Sequence, residues 1–368
     1  MDRLIPLRLG LQQRVLPSYR VPFFDSLAEA CQGGLSVFAG EPRPEEAIET
    51  GRKLQSAGYF QARNTHLFSG PFYLCWQSGI LAWLNAWQPQ ALVVEANPRY
   101  LRTPAAVRWM HSRHRPVLGW GLGAPGQAGP LPGLRQAARR AFLGPFDALL
   151  VYSRQGYEQY AACGFDPRHI FVAPNAAVRK PAQPPPPRPL PPGPATLLFV
   201  GRLQARKRVD LLLQACAALP KQLQPHLWLV GDGPARAQLE TLARQVYPAT
   251  QFFGAFYGPE LDDLFCRADL FVLPGTGGLA VQQAMSFGLP VMVAEGDGTQ
   301  SDLVRPANGW TLPTGSLPAL TSALAQALSD LPRLRRMGDE SYRIVSEEVN
   351  VEKMIEAFAN AIDCAIRG

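Results

Sequence analysis

Short runs of apolar residues alternate with segments of helical periodicity along most of the chain. After residue 194 the apolar runs are TLLFVG, HLWLVGDG, TQFFGAF, DLFVLPG and PVMVAEG, and the helical segments between them are VDLLLQACAAL, ARAQLETLARQV, PELDDLFCRA and GLAVQQAMSFG. Strands that are apolar throughout, separated by helices of about ten residues, are typical of a parallel sheet covered on both faces. Several of these strands end in glycine at the carboxyl edge, where such sheets bind ligands.

The first half of the chain repeats this alternation less cleanly. Strands are predicted for GLSVFAG, ALVVEAN, PVLGWGLG, ALLVYS and HIFVAPN, and helices for residues 20–31, 72–87, 103–114, 133–145 and 154–163. The expected fold is therefore α/β, with two Rossmann-like, doubly wound domains that face a central cleft.

A proline-rich segment divides the two halves. Residues 179–194, RKPAQPPPPRPLPPGP, favour an extended path and indicate a semi-rigid linker, with a long surface loop inside one domain as the alternative. The expected domains are residues 1–178 and 195–350. A terminal helix is predicted for residues 351–368, where apolar residues recur at helical spacing: Met354, Ile355, Phe358, Ile362 and Ile366.

The charge of the chain favours an anionic partner. Its 36 Lys and Arg against 29 Asp and Glu give a net charge of +7, which suits a nucleotide-sugar, anionic lipid or nucleic acid. No basic block and no aromatic-plus-basic RNA-binding pattern is present, so nucleic acid is not expected. Arg3, Arg8 and Arg14 interrupt the N-terminal apolar positions, which argues against a signal peptide or an anchor. Six scattered cysteines fit reduced thiols in a cytoplasmic protein, with peripheral contact to the inner membrane face left open.

Two glycine-containing turns in the second half are candidates for binding phosphate. Gly201 ends a strand and is followed by Arg202 and, at a helix start, by Lys207, two cations that could reach a diphosphate. The second turn, TGGL at residues 276–279, opens a helix whose free amides attract an anion. A solvated basic turn and a glycine selected for helix packing are the respective structural alternatives.

The order of four segments closely resembles the donor half of family 4 glycosyltransferases. These segments are FVGRLxxxK, LVGDGP, ADLFVLP and GGLAVQQAMSFGLPV, with matching spacing between Thr196 and Gly309. The first half is similar more loosely, through VYS at 151–153 and VAPN at 172–175. The resemblance implies the GT-B architecture, a retaining mechanism, and a terminal helix that crosses back onto the first domain.

The resemblance also implies roles for individual residues. Arg202 and Lys207 would bind the donor diphosphate and stabilise it as it leaves, and the base would stack near Phe253. No cofactor or metal is implied beyond the nucleotide-diphospho-sugar donor. The implied donor-binding residues are Gly201, Gly231, Asp232, Gly233, Phe253, Gly254, Thr276, Gly277, Gly278, Leu279 and Gln283.

Two glutamates of the family pattern are missing from this chain. Their positions hold Gly275 and Gln283. The amide of Gln283 can still bond ribose hydroxyls, whereas Gly275 cannot replace the carboxylate that touches the donor sugar. Glu295 is a nearby acid that could compensate, alongside Asp297, Thr299 and Gln300. The loop histidine that faces the sugar in many relatives is also absent, and His66 is the histidine that we expect to be worth testing.

Acceptor-side candidates follow strands of the first half. Tyr19 and Arg20 lie, with Arg14, between the first strand and the first helix, and Asn97 and Arg99 follow ALVVEAN. Helix capping and core packing are the structural alternative for the first group.

The predicted function is retaining, metal-independent, hexosyltransferase-like transfer of a sugar from a nucleotide-diphospho-sugar to an acceptor. That acceptor could be a glycan, a lipid-linked molecule or a small molecule. Two alternatives stay open. One is a nucleotide-sugar-binding protein or degraded relative without transferase activity. The other is a nucleotide-sugar epimerase of the same fold, which would need carboxylates and a histidine in the cleft, and we find no convincing set.

Overall fold

The computed structural model describes residues 4–46, 48–51, 53–124, 132–296 and 300–368. The chain forms two compact units. The first comprises Met1–Ala177 together with Val351–Gly368, and the second comprises Val178–Asn350. In the described part of the chain, no helix combines the length and apolarity needed to cross a membrane.

The first unit is built on a seven-stranded parallel sheet. Its strands and those of an antiparallel pair are β1 (Leu9–Val15), β2 (Leu35–Gly40), β3 (Gly58–Gln61), β4 (Arg63–Leu67), β5 (Leu74–Ser78), β6 (Ala91–Glu95), β7 (Val117–Gly121), β8 (Ala148–Val151) and β9 (Ile170–Val172). The sheet order is β3-β2-β1-β6-β7-β8-β9, while β4 pairs only with β5. Its helices are α1 (Val21–Ala30), α2 (Ile80–Trp87), α3 (Thr103–His111), α4 (Pro132–Leu143) and α5 (Arg154–Ala162).

The helix predicted over residues 72–87 is wrong in its first half, because residues 74–78 form β5. In this segment, buried Cys75 and Gln77 flank exposed Trp76. An alternation with a period of two suits a strand and not a helix. A left-handed glycine then separates β5 from α2.

The second unit contains the more regular sheet. Its strands are β10 (Thr196–Val200), β11 (His226–Val230), β12 (Thr250–Gly254), β13 (Leu270–Leu273), β14 (Val291–Ala294) and β15 (Gly309–Leu312). They lie in the order β12-β11-β10-β13-β14-β15, all parallel. Its helices are α6 (Val209–Ala218), α7 (Arg236–Val246), α8 (Pro259–Arg267), α9 (Ala280–Ser286), α10 (Gln300–Leu303), α11 (Leu317–Leu328) and α12 (Leu331–Glu347).

Strand order fixes where each sheet can bind a ligand. The winding reverses between β1 and β6 in the first unit, and between β10 and β13 in the second. Loops that leave the carboxyl ends of two such strands diverge to opposite faces of the sheet and leave a crevice between them. In the second unit, the loops at this reversal carry both glycine-containing turns that the sequence singles out.

The final helix, α13 (Val351–Arg367), packs on the first unit. Its Phe358 ring lies 5.4 Å from the Phe23 ring and 5.1 Å from the Trp120 ring, both edge-on. Ile366, in contrast, is exposed. The buried face of the helix is Val351, Met354, Ile355, Phe358, Ala361 and Ile362.

The proline-rich segment is held against the second unit by Arg188. This guanidinium donates hydrogen bonds to four main-chain carbonyls, those of Phe265, Cys266, Phe287 and Gly288, at 2.9–3.2 Å. These carbonyls lie at the ends of α8 and α9, where helices leave acceptors without intrahelical partners. Residues predicted as a linker therefore cap two helices of the second unit.

Candidate functional site

The candidate site is formed by the loops that follow β10 and β13. These strands are neighbours in the sheet, with Leu197 opposite Leu270. Past the strands, the amide of Thr276 donates to the carbonyl of Arg206 at 3.1 Å. The two predicted phosphate turns are thus brought together by main-chain contact.

Lys207 is the central side chain of this site. It ends a short 3₁₀ turn, Ala205–Lys207, and is 7% exposed. Its Nζ donates to the carbonyl oxygens of Thr276 and Gly277, at 2.8 and 3.1 Å. Burial, reinforced by the neighbouring Arg206, lowers the pKa of Lys207 to about 8. An ammonium held in this way would be stabilised by any anion that reached it.

The loop after β13 offers main-chain donors beside this ammonium. Within the described residues, the amides of Gly277, Gly278 and Leu279 have no protein acceptor. They precede the first turn of α9, where amides without intrahelical partners are expected. A group of unpaired amides next to a cation is suited to binding phosphate oxygens.

Two arginines accompany Lys207, and the sequence identifies one of them. Arg202 is exposed, and its guanidinium makes no hydrogen bond or ion pair with the described residues. Arg206, which sequence reasoning missed, places Nη1 3.6 Å from the position that a Cβ on Gly277 would occupy. Its available signal was its place directly before Lys207 and Arg208, but the 3₁₀ turn that directs it toward the loop has no sequence signature.

Gly231 is required by close packing of two main chains. It has φ +135°, and a Cβ there would overlap the carbonyl oxygen of Gly201 and lie 2.9 Å from its carbonyl carbon. Its amide donates to the carbonyl of Gly254 at 2.6 Å. A neighbouring acid, Asp232, accepts from the amide of Gly233 and pairs with Arg236 at 3.3 Å. The predicted donor role of this stretch stays a prediction beside these structural contacts.

Phe253 and Gly254 lie at the end of β12. The ring of Phe253 is half-buried and meets Trp228 and Phe256 edge-on, at 5.6 and 5.9 Å. The stacking of a base at this position stays a prediction.

Gly275 leaves no room for the missing glutamate. A Cβ at this position would overlap the carbonyl oxygen of Arg206 and lie 2.5 Å from the Cα of Lys207. The main chain of the β10 loop therefore occupies the space that a side chain at 275 would need.

Gln283, at the second glutamate position, has a carboxylate beside it. Its Nε2 lies 3.4 Å from Asp262 Oδ1 on α8, and both residues are half-buried. Sequence reasoning missed Asp262 because it comes from a different helix. A carboxylate thus lies beside this position although the glutamate is absent.

Of the four residues proposed to compensate for the missing glutamate, Glu295 and Gln300 lie within the described part of the chain. Glu295 is exposed, and its main chain is bonded to Leu312 and Thr314. Asp297 and Thr299 lie outside the described residues, and Gln300 begins α10. These assignments stay predictions.

The acceptor-side candidates lie on three separate segments of the first unit. Arg20 is buried and Tyr19 exposed, and both follow β1. His66 lies on β4, where Nδ1 is 2.9 Å from the Tyr73 hydroxyl and Nε2 is 3.2 Å from the Glu41 carbonyl. These contacts fit a structural role for His66, and its proposed role toward the sugar or acceptor stays a prediction. The Asn97 side chain accepts from the amide of the exposed Arg99 at 3.1 Å, which closes a local turn.

Glu95 is a candidate functional residue of the first unit that the sequence pattern did not indicate. It is the last residue of β6, at the winding reversal, and its Oε2 accepts from the amide of Arg14 at 2.6 Å. Burial raises its pKa to about 7, against the opposing effect of the Arg14 amide and charge. Only the folded strand order brings Arg14 to this carboxyl group.

Known proteins resemble parts of this chain in sequence. Residues 185–344 match the family described as Glycosyl transferases group 1. The GDP-mannose-dependent alpha-mannosyltransferase of Mycobacterium tuberculosis is 34% identical over 161 residues, which are 41% of this chain and 40% of that protein. The chain therefore matches less than half the length of this relative.

Solved structures resemble the whole chain. The lipopolysaccharide outer core galactosyltransferase WaaB, in its apo form, has a TM-score of 0.68 and 16% identity, covering 97% of this chain and 99% of its own. Anabaena HepE in complex with UDP has a TM-score of 0.68 and 14% identity, covering 99% and 100%. These likenesses confirm the predicted fold of two parallel-sheet, Rossmann-like units. The match of residues 185–344 to the glycosyl transferases group 1 family agrees with the resemblance carried by the four sequence segments.

Proposed function

We propose that this chain transfers a sugar from a nucleotide-diphospho-sugar to an acceptor, with retention of configuration at the anomeric carbon. The observation that carries the proposal is the buried ammonium of Lys207 beside the unpaired amides of Gly277 and Gly278. This arrangement combines a buried positive charge with fixed main-chain donors, which suits electrostatic stabilisation of a leaving anion.

The proposed reaction needs no nucleophile from the protein. The bond between the anomeric carbon and the diphosphate oxygen breaks, and the acceptor oxygen attacks the same face of the sugar. The leaving phosphate oxygen takes the proton of the acceptor hydroxyl. Lys207, Arg202 and Arg206 would neutralise the charge that develops on the diphosphate, and the loop amides would hold its oxygens. The mechanism as proposed uses no metal.

The donor base is the first property to determine. The mannosyltransferase relative is described as GDP-mannose-dependent, and HepE was solved with UDP. Calorimetric titration of this chain with UDP, GDP and ADP would identify the base. Failure of all three to bind would contradict a donor site in the second unit.

Transfer is then tested with the corresponding nucleotide-sugars and an acceptor panel. Lys207→Met and Arg202→Met are expected to reduce kcat/KM by at least about tenfold, which corresponds to about 1.4 kcal/mol of transition-state stabilisation. Lys221→Met is the matched control, because Lys221 is an exposed lysine of the same unit away from both loops. Unchanged turnover in both site variants would refute the proposed role of the cations.

A second candidate function, binding of a nucleotide-sugar without transfer, is favoured by Gly275. No carboxylate can project from this position while the β10 loop packs against it. Nucleotide binding without release or transfer of sugar across the panel would support this alternative.

A further inference from the structure

Arg20 is a buried cation that the donor chemistry does not use. It is 4% exposed and lies where β1 passes into α1. No carboxylate within the described residues lies at salt-bridge distance from it, and its one side-chain hydrogen bond runs from Nη1 to Met354 Sδ at 3.8 Å. A buried guanidinium without an anionic partner is costly in solvation free energy, so its presence calls for a reason.

Three aromatic rings enclose this guanidinium. Its central carbon lies 5.5 Å from the ring centre of Tyr19, 5.1 Å from that of Trp120 and 5.2 Å from that of Tyr152. Aromatic faces stabilise a cation but accept none of its five N–H donors in the plane of the group. Among the described residues, Nε and Nη2 have no hydrogen-bond acceptor. The cage therefore fixes the orientation of the guanidinium and leaves donors available.

The cage lies at the carboxyl edge of the first sheet. Arg20 follows β1, Trp120 lies near the end of β7, and Tyr152 directly follows β8. This is the edge at which an open α/β sheet binds its ligand. Glu95, at the end of β6, is near enough for the charge of Arg20 to act against the burial that raises its pKa, and its carboxylate accepts from the Arg14 amide.

The charge of the first unit favours an anionic ligand. Residues 50–146 contain eleven Lys or Arg and a single Asp or Glu, which is Glu95. Such an imbalance produces a positive potential that attracts anionic ligands.

We propose that Arg20 is the anchor for an oxyanion, a phosphate or carboxylate group, carried by the acceptor. The inference rests on the proposed function, since it concerns the second substrate of that transferase. A planar guanidinium with free edge donors would bind such a group through charge-assisted hydrogen bonds. The anion could belong to a soluble phosphorylated molecule or to a lipid headgroup.

The test measures phosphate binding in a Lys207→Met background, which weakens the donor-site contribution equally in every variant compared. Thermal stabilisation by inorganic phosphate is compared with that by chloride at equal ionic strength. Adding Arg20→Met is expected to weaken phosphate binding by about tenfold or more. The melting temperature without phosphate should hold or rise, because the apolar side chain fits an aromatic cage without the cost of a buried charge. Arg8→Met is the matched control, since Arg8 also lies over a tryptophan ring, 5.3 Å from its centre, but is exposed and precedes β1.

An unchanged phosphate response after Arg20→Met would overturn the inference. Should that variant fold poorly, Arg20→Lys, which keeps the charge but loses the planar fork, must weaken phosphate binding in a folded protein. Nucleoside diphosphate binding, measured separately in wild type and Arg20→Met, shows whether the donor site is intact. Its absence in wild type contradicts the proposed function, whereas its presence with an Arg20-independent phosphate response contradicts only the anchor.

Vesicles distinguish the two sources of the anion. Co-sedimentation with phosphatidic acid vesicles that is lost in Arg20→Met assigns the group to a lipid headgroup. Phosphate binding without vesicle retention assigns it to a soluble acceptor. Arg20-dependent binding of neither probe would overturn the proposal.

Discussion

Replacing Lys207 by methionine should separate what the buried ammonium costs in folding stability from what it contributes to anion binding. Burial lowers the pKa of Lys207 from 10.5 to about 8, a difference worth about 3 kcal/mol at about 1.4 kcal/mol per pH unit. The side chain is 7% exposed, so solvent screening reduces this value little. Its bonds to two carbonyls return about 1–3 kcal/mol each. At pH 7 the two effects nearly cancel, and the variant should match the wild type within about 2 kcal/mol.

The difference between the two proteins should depend on pH. From pH 8 to 10.5 the unfolded chain holds a proton at Lys207 that the folded chain has released, so the wild type gains stability as pH rises. Lys207→Met lacks this gain. Between pH 7 and pH 10.5, its free energy of unfolding should therefore fall relative to that of the wild type by up to about 3 kcal/mol. Nucleoside diphosphate affinity should change in the opposite sense, falling by up to about tenfold per pH unit above pH 8, because binding requires the protonated amine.

Urea unfolding at pH 7, 8, 9 and 10 measures this effect. A chain of two units need not unfold in one transition, so hydrogen exchange of peptides from β10 to α9 should report on the second unit. Lys221→Met is the matched control, and its difference from wild type should stay constant across the series. If the free energies of unfolding of wild type and Lys207→Met changed with pH in parallel, they would refute the argument that this loop holds a buried, destabilised ammonium that an anion would stabilise.

Further predictions concern packing and the missing carboxylates. Gly231→Ala should lower the free energy of unfolding of the second unit by more than about 3 kcal/mol in urea, since the new Cβ would meet main chain at a positive φ. Gly133→Ala, at an open helical position, should leave the free energy of unfolding unchanged or raise it slightly. Gln283→Glu should not tighten donor binding in calorimetry, because Asp262 Oδ1 lies 3.4 Å from the present amide and like charges repel. Combining Gln283→Glu with Asp262→Asn should restore or improve donor affinity. Tighter donor binding from Gln283→Glu alone would contradict the inference that Asp262 lies close enough to repel a carboxylate at 283.

The sequence predicts the second unit better than the first for a physical reason. Four of its strands, β10, β11, β13 and β14, are almost entirely buried, so they read as continuous apolar runs, and a glycine follows each of them within two residues. Strand β5 in the first unit has one exposed face, and its mixed residues fall within the helix predicted for 72–87. Trp76 and Leu74 look apolar in the sequence although the first is exposed and the second half-buried.

Side-chain geometry at the site depended on the fold. Lys207 could be identified because a cation follows a glycine at a strand end. Its burial, its carbonyl partners and the approach of Arg206 come from a loop contact that no local pattern encodes. Glu95 and Asp262 were missed for the same reason, since strand order and helix packing decide what they contact.

The close contact at Gly275 also bears on how this chain could change over time. Restoring glutamate by substitution at this position would force the Arg206–Lys207 main chain away and break the contacts that hold the Lys207 amine. The glutamate of the family pattern is thereby excluded at this position unless the neighbouring loop shifts as well. Swapping single residues from a relative into this loop should therefore fail where exchanging both loops together succeeds.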